Sequence, residues 1–192
     1  MGAAGGAVQS TLRFDGERRL DITQYAISAT VSHVRASGWS LRASIGSVLD
    51  GSLEEGARTH DIGPGVVATA TVARQWLVRG FFLTGSLGVG ASRITTTEAG
   101  MARQSLVAID LIRAGAMAGR TFGVASPYLL ARGFGGPVLW RLDGMDTTGT
   151  DTHHFQLGAG VSVAASSGLS LLLDIAALGE RSASLGMAYR LR

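Results

Sequence analysis

From His154 to Val163 the chain alternates without a break. Phe155, Leu157, Ala159, Val161 and Val163 share one side, and His154, Gln156, Gly158, Gly160 and Ser162 the other. Side chains of an extended strand point to opposite faces with a period of two, so such a run builds a wall with one apolar face and one small, polar face. Ten stretches of the 192-residue chain read this way. A soluble sheet normally sets Lys and Glu on its water-facing positions. Here Ser, Thr, Gly and Ala take those positions, and all 17 basic residues are arginine. A lipid-facing outside and a polar inside satisfy that pattern.

No run of about 18 to 20 uncharged apolar residues occurs, so a membrane span has to be made of strands rather than of a helix. The length fits one domain over 1–192, with residues 1–7 expected as a flexible N-terminal tail. These residues, Met1-Gly2-Ala3-Ala4-Gly5-Gly6-Ala7, lack the basic start and apolar middle of a secretory leader, which is expected to have been removed or to survive only as this remnant. With 28 glycines, 3 prolines and no cysteine, a collagen-like repeat, a disulfide framework and a thiolate metal site are all excluded. The net charge is +3, yet the arginines are scattered and no basic run is interleaved with aromatics, so nucleic acid is not an expected partner.

Alternation and turn residues predict strands at about 8–14, 20–34, 39–49, 65–77, 80–93, 105–119, 126–141, 154–163, 169–178 and 183–192. The connections alternate in length. Polar loops are expected at 50–64, 94–103 and 143–151, with hairpins at 15–17 and 179–181 on the same side and short turns at 36–38, 77–80, 120–125 and 166–168 on the other. Outer-membrane barrels pair short periplasmic turns with longer outer loops. The expected fold is therefore all-β, a closed antiparallel up-and-down transmembrane β-barrel of ten strands, with eight as the alternative, and both termini periplasmic. Aromatic placement supplies the interfaces: Trp39, Trp76, Phe81, Tyr128 and Tyr189 near periplasmic strand ends, and Phe14, Tyr25, Trp140 and Phe155 near outer ends.

The same alternation extracts a lumen charge network of Arg42, Asp110, Asp174 and Arg190, with Arg13 near the outer rim. Charges inside a narrow barrel have to be paired or hydrated, so this set reads first as a structural plug and second as an arginine-lined path favouring anions. Arg113 breaks the rule. Strict alternation after Val107, Ile109 and Leu111 sends it into lipid, at about 2 to 4 kcal/mol in mid-membrane. A bulge near Leu111-Ile112 brings it inside beside Asp110 and turns Ile112, Ala114 and Ala116 outward.

The closing segment Leu185-Gly186-Met187-Ala188-Tyr189-Arg190-Leu191-Arg192 resembles the terminal strand of small bacterial outer-membrane barrels, with Arg192 where that pattern ends in an aromatic. Pro127-Tyr128-Leu129-Leu130-Ala131-Arg132-Gly133-Phe134-Gly135-Gly136 is similar in style to strands of the OmpA, OmpX and OmpW type. The resemblance implies a Gram-negative outer membrane, contact with membrane lipid and lipopolysaccharide, and recognition by the barrel-assembly machinery during insertion.

Candidate chemistry is sparse. Asp151-Thr152-His153 resembles the acid/histidine pair of omptin proteases, but no second carboxylate pair opposes it, so polar residues at a strand edge are the simpler reading and no catalytic residue is assigned. His60-Asp61 and His153-His154 could approach a metal, although adjacent strand residues face opposite ways; no metal or cofactor is expected. Gly85, Gly88 and Gly90 precede no helix and are packing positions rather than a nucleotide loop. The expected function is non-enzymatic: a narrow, porin-like pore for ions or a structural or surface-interaction protein. An outer-membrane barrel enzyme, an omptin-like protease or a lipid-modifying hydrolase, is the alternative, and a soluble lipid-binding barrel, which needs an apolar lumen and a polar exterior, is the third.

Overall fold

The computed structural model describes residues 1–15, 17–98, 102–142, 145–166 and 168–190. Among them are thirteen antiparallel strands: β1 (Gly2–Phe14), β2 (Arg18–Val34), β3 (Trp39–Glu55), β4 (Arg58–Ile62), β5 (Gly65–Val78), β6 (Phe81–Glu98), β7 (Gln104–Arg120), β8 (Ala125–Gly135), β9 (Pro137–Leu142), β10 (Met145–Asp151), β11 (Phe155–Ser166), β12 (Leu169–Gly179) and β13 (Arg181–Tyr189). Three pairs continue in one direction across a break, β4 into β5, β8 into β9 and β10 into β11. The chain thus crosses the wall ten times.

The wall closes twice, with a different number of strands at each level. At the end that carries both termini, here the basal end, the ring runs β1-β2-β3-β5-β6-β7-β8-β11-β12-β13 and returns to β1, where Gly2 to Gln9 pair with Ala188 to Arg181. The β12–β13 hairpin then ends. Above it β10 pairs directly with β1, Leu12 opposite Asp151 and Phe14 opposite Gly149, so the distal ring is β1-β2-β3-β4-β6-β7-β9-β10. Ten strands at the base become eight at the top. Residues 2–7, expected as a tail, are paired on both sides as part of β1.

The two levels are opposite in polarity, and β2 shows the change in one strand. Its outward residues from Tyr25 to Val31 are Tyr25, Ile27, Ala29 and Val31, while Gln24, Ser28 and Thr30 point inward. Distal to Tyr25 the outward residues are Arg19, Asp21 and Thr23, and Leu20 and Ile22 are buried inside. The basal tier is greasy outside and polar inside, and the eleven residues 39–49 of β3 have the length a tilted membrane strand needs. The distal tier has the faces of a water-soluble barrel. Its interior is one apolar core of Leu12, Phe14, Leu20, Ile22, Val48, Leu53, Ile62, Ile94, Leu106, Val138 and Trp140.

This inversion corrects several expectations. Of the expected loops, residues 50–55, 58–62, 94–98 and 145–151 are distal strands, with polar residues facing water while Leu53, Ile62 and Ile94 pack inside; 99–101 and 143–144 lie outside the described residues. Phe14 and Trp140 belong to the core, at 0% and 1% exposure, instead of the lipid face.

Bulges adjust the frame where the tiers meet. Tyr25 pairs with Asp50 but Ala26 with Val48, which leaves Leu49 as the extra residue of β3. On β7 the four residues from Arg113 to Asp110 oppose three on β6, Gly88 to Gly90, so Leu111 and Ile112 both face outward at 62% and 66% exposure, and Arg113 turns in. Between β8 and β9, Gly136 passes so close to β7 that a Cβ there would meet the Ile109 carbonyl oxygen at 1.7 Å. Only glycine fits that crossing.

Candidate functional site: the closed lumen

The basal lumen is lined by hydroxyls and arginines. Thr30, Ser40, Arg42, Ser44, Thr71 and Thr84 are among the residues around a cavity of about 310 Å³. A second cavity of about 260 Å³ continues it toward the distal tier, with Ser10, Gln24, Asp110, Arg113, Asp151 and Glu180 in its wall. There the path ends. Phe14, Leu20, Leu53 and Trp140 fill the distal ring, none more than 1% exposed.

The plug is held by more than apolar contact. Trp140 lies 5.5 Å from the Phe14 ring and edge-on to His60 at 5.1 Å, under the Arg18 guanidinium at 5.6 Å. Its indole N–H donates to the buried Thr96 hydroxyl at 3.0 Å. Arg18 also donates two hydrogen bonds to the Glu55 carboxylate and lowers its pKa from the usual carboxylate value. His60 is 1% exposed, neither ring nitrogen makes a hydrogen bond, and Nδ1 is 3.9 Å from the Glu98 carboxylate.

Beneath the plug the charges are arranged in pairs. Arg113 donates to Asp110 and lies 5.9 Å over the Phe134 ring. Arg132 pairs with Asp174 at 3.3 Å and donates to Gln156 at 3.4 Å, and the Tyr128 hydroxyl donates to the same Asp174. The tip of the β12–β13 hairpin enters this belt. Gly179, at φ 77°, could not carry a side chain, since a Cβ would meet the Phe155 carbonyl oxygen at 2.0 Å. Glu180, in the turn above the membrane tier, accepts a hydrogen bond from Gln156. Burial, with the Asp151 charge beside it, pushes the Glu180 carboxyl up to about 7. Burial also raises Asp151, against the Ser10 hydroxyl that donates to both its oxygens at 2.8 and 2.7 Å.

Of the residues assigned to a lumen network from sequence, Asp110, Arg113 and Asp174 meet in this belt, and Arg42 lines the basal cavity. Arg13 does not belong, because it lies on the water-facing outside of the distal tier. Arg190 follows the end of β13 and is exposed at the basal rim. The aromatic set divides likewise. Trp39, Trp76, Phe81 and Tyr189 stand outward near basal strand ends and Tyr25 and Phe155 near the distal limit of the apolar band, each 42 to 53% exposed. Tyr128 is a lumen residue at 8% exposure, bound to Asp174, and Trp140 is the centre of the plug. Sequence reading missed Ser10, Arg132 and Glu180. Arg132 shares inward parity with Tyr128 and opposite parity from Leu129, a signal that was available; Glu180 sits in a hairpin turn, where alternation gives no direction.

The acid/histidine arrangement does not form. Asp151 turns in toward Ser10, His153 is exposed, and the bond between them runs from the His153 backbone N–H to the carboxylate at 2.7 Å. Among the described residues no group of three or more metal-ligating side chains converges.

A closed, antiparallel barrel with an apolar outer band, aromatic ends and a polar lumen is a transmembrane β-barrel. No protein-family model matches the chain, and no curated protein matches its sequence. Solved structures share the fold. The transport unit of the autotransporter AIDA-I from Escherichia coli is similar with a TM-score of 0.53 and 11% identity, over 99% of this chain and 89% of that one. The translocator domain of the autotransporter NalP from Neisseria meningitidis gives 0.51 and 13%, over 99% and 88%. The β domain of the Bordetella autotransporter BrkA gives 0.50 and 13%, over 99% of each chain.

Proposed function

We propose that this chain is an integral protein of the bacterial outer membrane whose barrel is shut at its distal end, and that it acts as a structural or surface-presenting protein, in the manner of small barrels of the OmpA, OmpX and OmpW type. The observation that carries this reading is the distal core: Phe14, Leu20, Leu53 and Trp140 occupy the ring interior with at most 1% exposure. A conducting pore needs a continuous wet path, and this lumen is blind. The same core argues against a soluble lipid carrier. The distal tier has the apolar inside and polar outside such a carrier requires, but the inside is filled by its own side chains.

In this reading both termini are periplasmic, the basal tier spans the membrane, and the eight-stranded tier stands above it among lipopolysaccharide head groups. The five residues of β1 that follow Gln9, Ser10 to Phe14, at about 3.3 Å each, carry the rim roughly 15 Å beyond the outer interface. The function is non-enzymatic in this reading, which the bond from the His153 backbone N–H, rather than its imidazole, to Asp151 supports. The likeness to autotransporter translocator domains extends to the barrel, whereas here the channel position is taken by the plug.

The chain lacks cysteine, so single cysteines report topology cleanly. In intact Gram-negative cells a membrane-impermeant maleimide is expected to label Glu17→Cys, in the distal β1–β2 turn, and to leave Ser37→Cys, in the basal β2–β3 turn, unlabelled until the envelope is opened. Equal labelling of both in intact cells, or the reverse order, overturns the reading.

A further inference from the structure

The outer wall at β6, β7, β8, β11 and β12 is not uniformly greasy. One cross-strand row reads Leu83, Ala118, Leu129, Ala159, Ile175, each residue directly opposite the next. Large and small side chains alternate around the wall, and Leu129, 70% exposed, stands between two troughs of small residues, over Ala118 on one side and Ala159 on the other, each joining a basal depression beside Trp76, Phe81 and Arg120 to a distal one beside Ala116, Ala131 and Leu157. The first follows the outward face of β7 over Ala114, Ala116 and Ala118. Its length, six residues to Arg120, is about 20 Å, similar to the depth of one bilayer leaflet. The second is shorter and passes over Ala159 on the outward face of β11.

Arg120 closes the basal mouth of the first trough. Its guanidinium lies 4.9 Å from the Phe81 ring centroid and 5.1 Å from that of Phe122, and no carboxylate pairs with it among the described residues. Aromatic faces on two sides fix a guanidinium while leaving N–H groups at its edge to donate. The surrounding charge is one-sided. Arg35, Arg74, Arg79, Arg120 and Arg190 sit at the basal end, while the described acidic residues lie in the lumen or toward the distal tier.

We infer that this face is a docking site for one anionic two-chain glycerophospholipid of the basal leaflet, with its phosphate on Arg120 and its acyl chains in the troughs either side of Leu129. The inference rests on the membrane reading above and adds to it a named lipid site. A planar, doubly donating guanidinium matches a phosphate oxygen pair. An uncompensated arginine rim favours a headgroup of net negative charge over a zwitterion. Leu129 separates the chains, and the alanines let them approach the backbone.

The test is native mass spectrometry of the whole protein released from detergent, after incubation with phosphatidylglycerol or phosphatidylcholine of identical chains. The wild-type protein is expected to retain one phosphatidylglycerol at least fivefold more often than phosphatidylcholine. Arg120→Gln should bring that ratio within twofold of unity, Arg120→Lys should keep part of it, and Ala118→Phe, which fills the first trough, should lower retention of both lipids. Heat-dependent gel mobility confirms that each variant is folded, and the wild-type comparison stands even where a variant fails to fold. Equal retention of the two lipids by wild type, an unchanged ratio in Arg120→Gln, or a second copy of the chain occupying the face in their place overturns the site while leaving the membrane reading intact. Failure to enter vesicles of either lipid overturns both.

Discussion

Replacing Trp140 by alanine removes the centre of the plug and leaves the membrane wall untouched. The side chain is 1% exposed and packs between Phe14 and His60, with Arg18 above it. Truncating a buried Trp to Ala costs about 3–5 kcal/mol. The Thr96 hydroxyl, in a residue with 0% exposure, also loses its donor, at about 1–3 kcal/mol. Water entering from the lumen recovers part of the second figure, so about 4 kcal/mol is the net expectation, roughly a thousandfold in the equilibrium for opening the distal tier. Limited trypsin digestion reads that equilibrium, since Arg13, Arg19, Arg58 and Arg141 are exposed on distal strands. Where opening and closing are fast relative to cleavage, the cutting rate follows the open population. Cleavage at these sites should rise by two to three orders of magnitude, while the membrane-embedded fragment stays protected and keeps its heat-dependent gel mobility. Leu129→Ala, at a 70% exposed position on the lipid face, should leave the cutting rate unchanged. An unchanged rate in Trp140→Ala would refute the argument that this core closes the barrel.

Other expected outcomes follow from the junction belt. Glu180 is raised from 4.5 to about 7, so the folded state holds its proton more tightly than the unfolded chain, and stability is greatest below about pH 4.5 and erodes as pH rises through 7. The erosion amounts to about 3 kcal/mol at most, and Glu180→Gln should flatten the slope of unfolding midpoint against pH measured in micelles between pH 5 and 8. Arg113→Ala leaves Asp110, 29% exposed to the lumen, without its partner and should cost about 1–2 kcal/mol, with Asp110→Asn in the same chain recovering much of the loss; guanidinium unfolding of the single and double variants checks this. Gly136→Ala cannot be accommodated at 1.7 Å from a carbonyl oxygen, and folding yield into micelles should collapse.

Much of the basal tier was legible because one rule governs it. Residues alternate between lipid and a polar lumen, so Tyr25, Ile27, Ala29 and Val31 declare their face. Arg113, an arginine on the wrong parity, marked the bulge at Leu111-Ile112 that the register shows. The distal tier was misread because the same period of two serves an opposite environment. Leu20 and Ile22 look like lipid-facing residues until Arg19, Asp21 and Thr23 between them are weighed as a charged face in water. With the direction lost, alternation sends Arg13 inside and Phe14 and Trp140 outside, and the polar residues of the β3–β4 hairpin read as a loop. Ten, the strand count expected from sequence, describes the basal ring alone, because the β12–β13 hairpin stops short and β10 pairs with β1 above it. Glu180 could not be placed from sequence, since its position depends on where the short β12–β13 hairpin stops beneath the bridge between β10 and β1.

Single-channel recording in a planar bilayer tests the blind lumen most directly. The account predicts no steady conductance from the inserted wild-type protein and the appearance of discrete openings in Trp140→Ala. A stable ohmic conductance in the wild type, unchanged by that substitution, would contradict it.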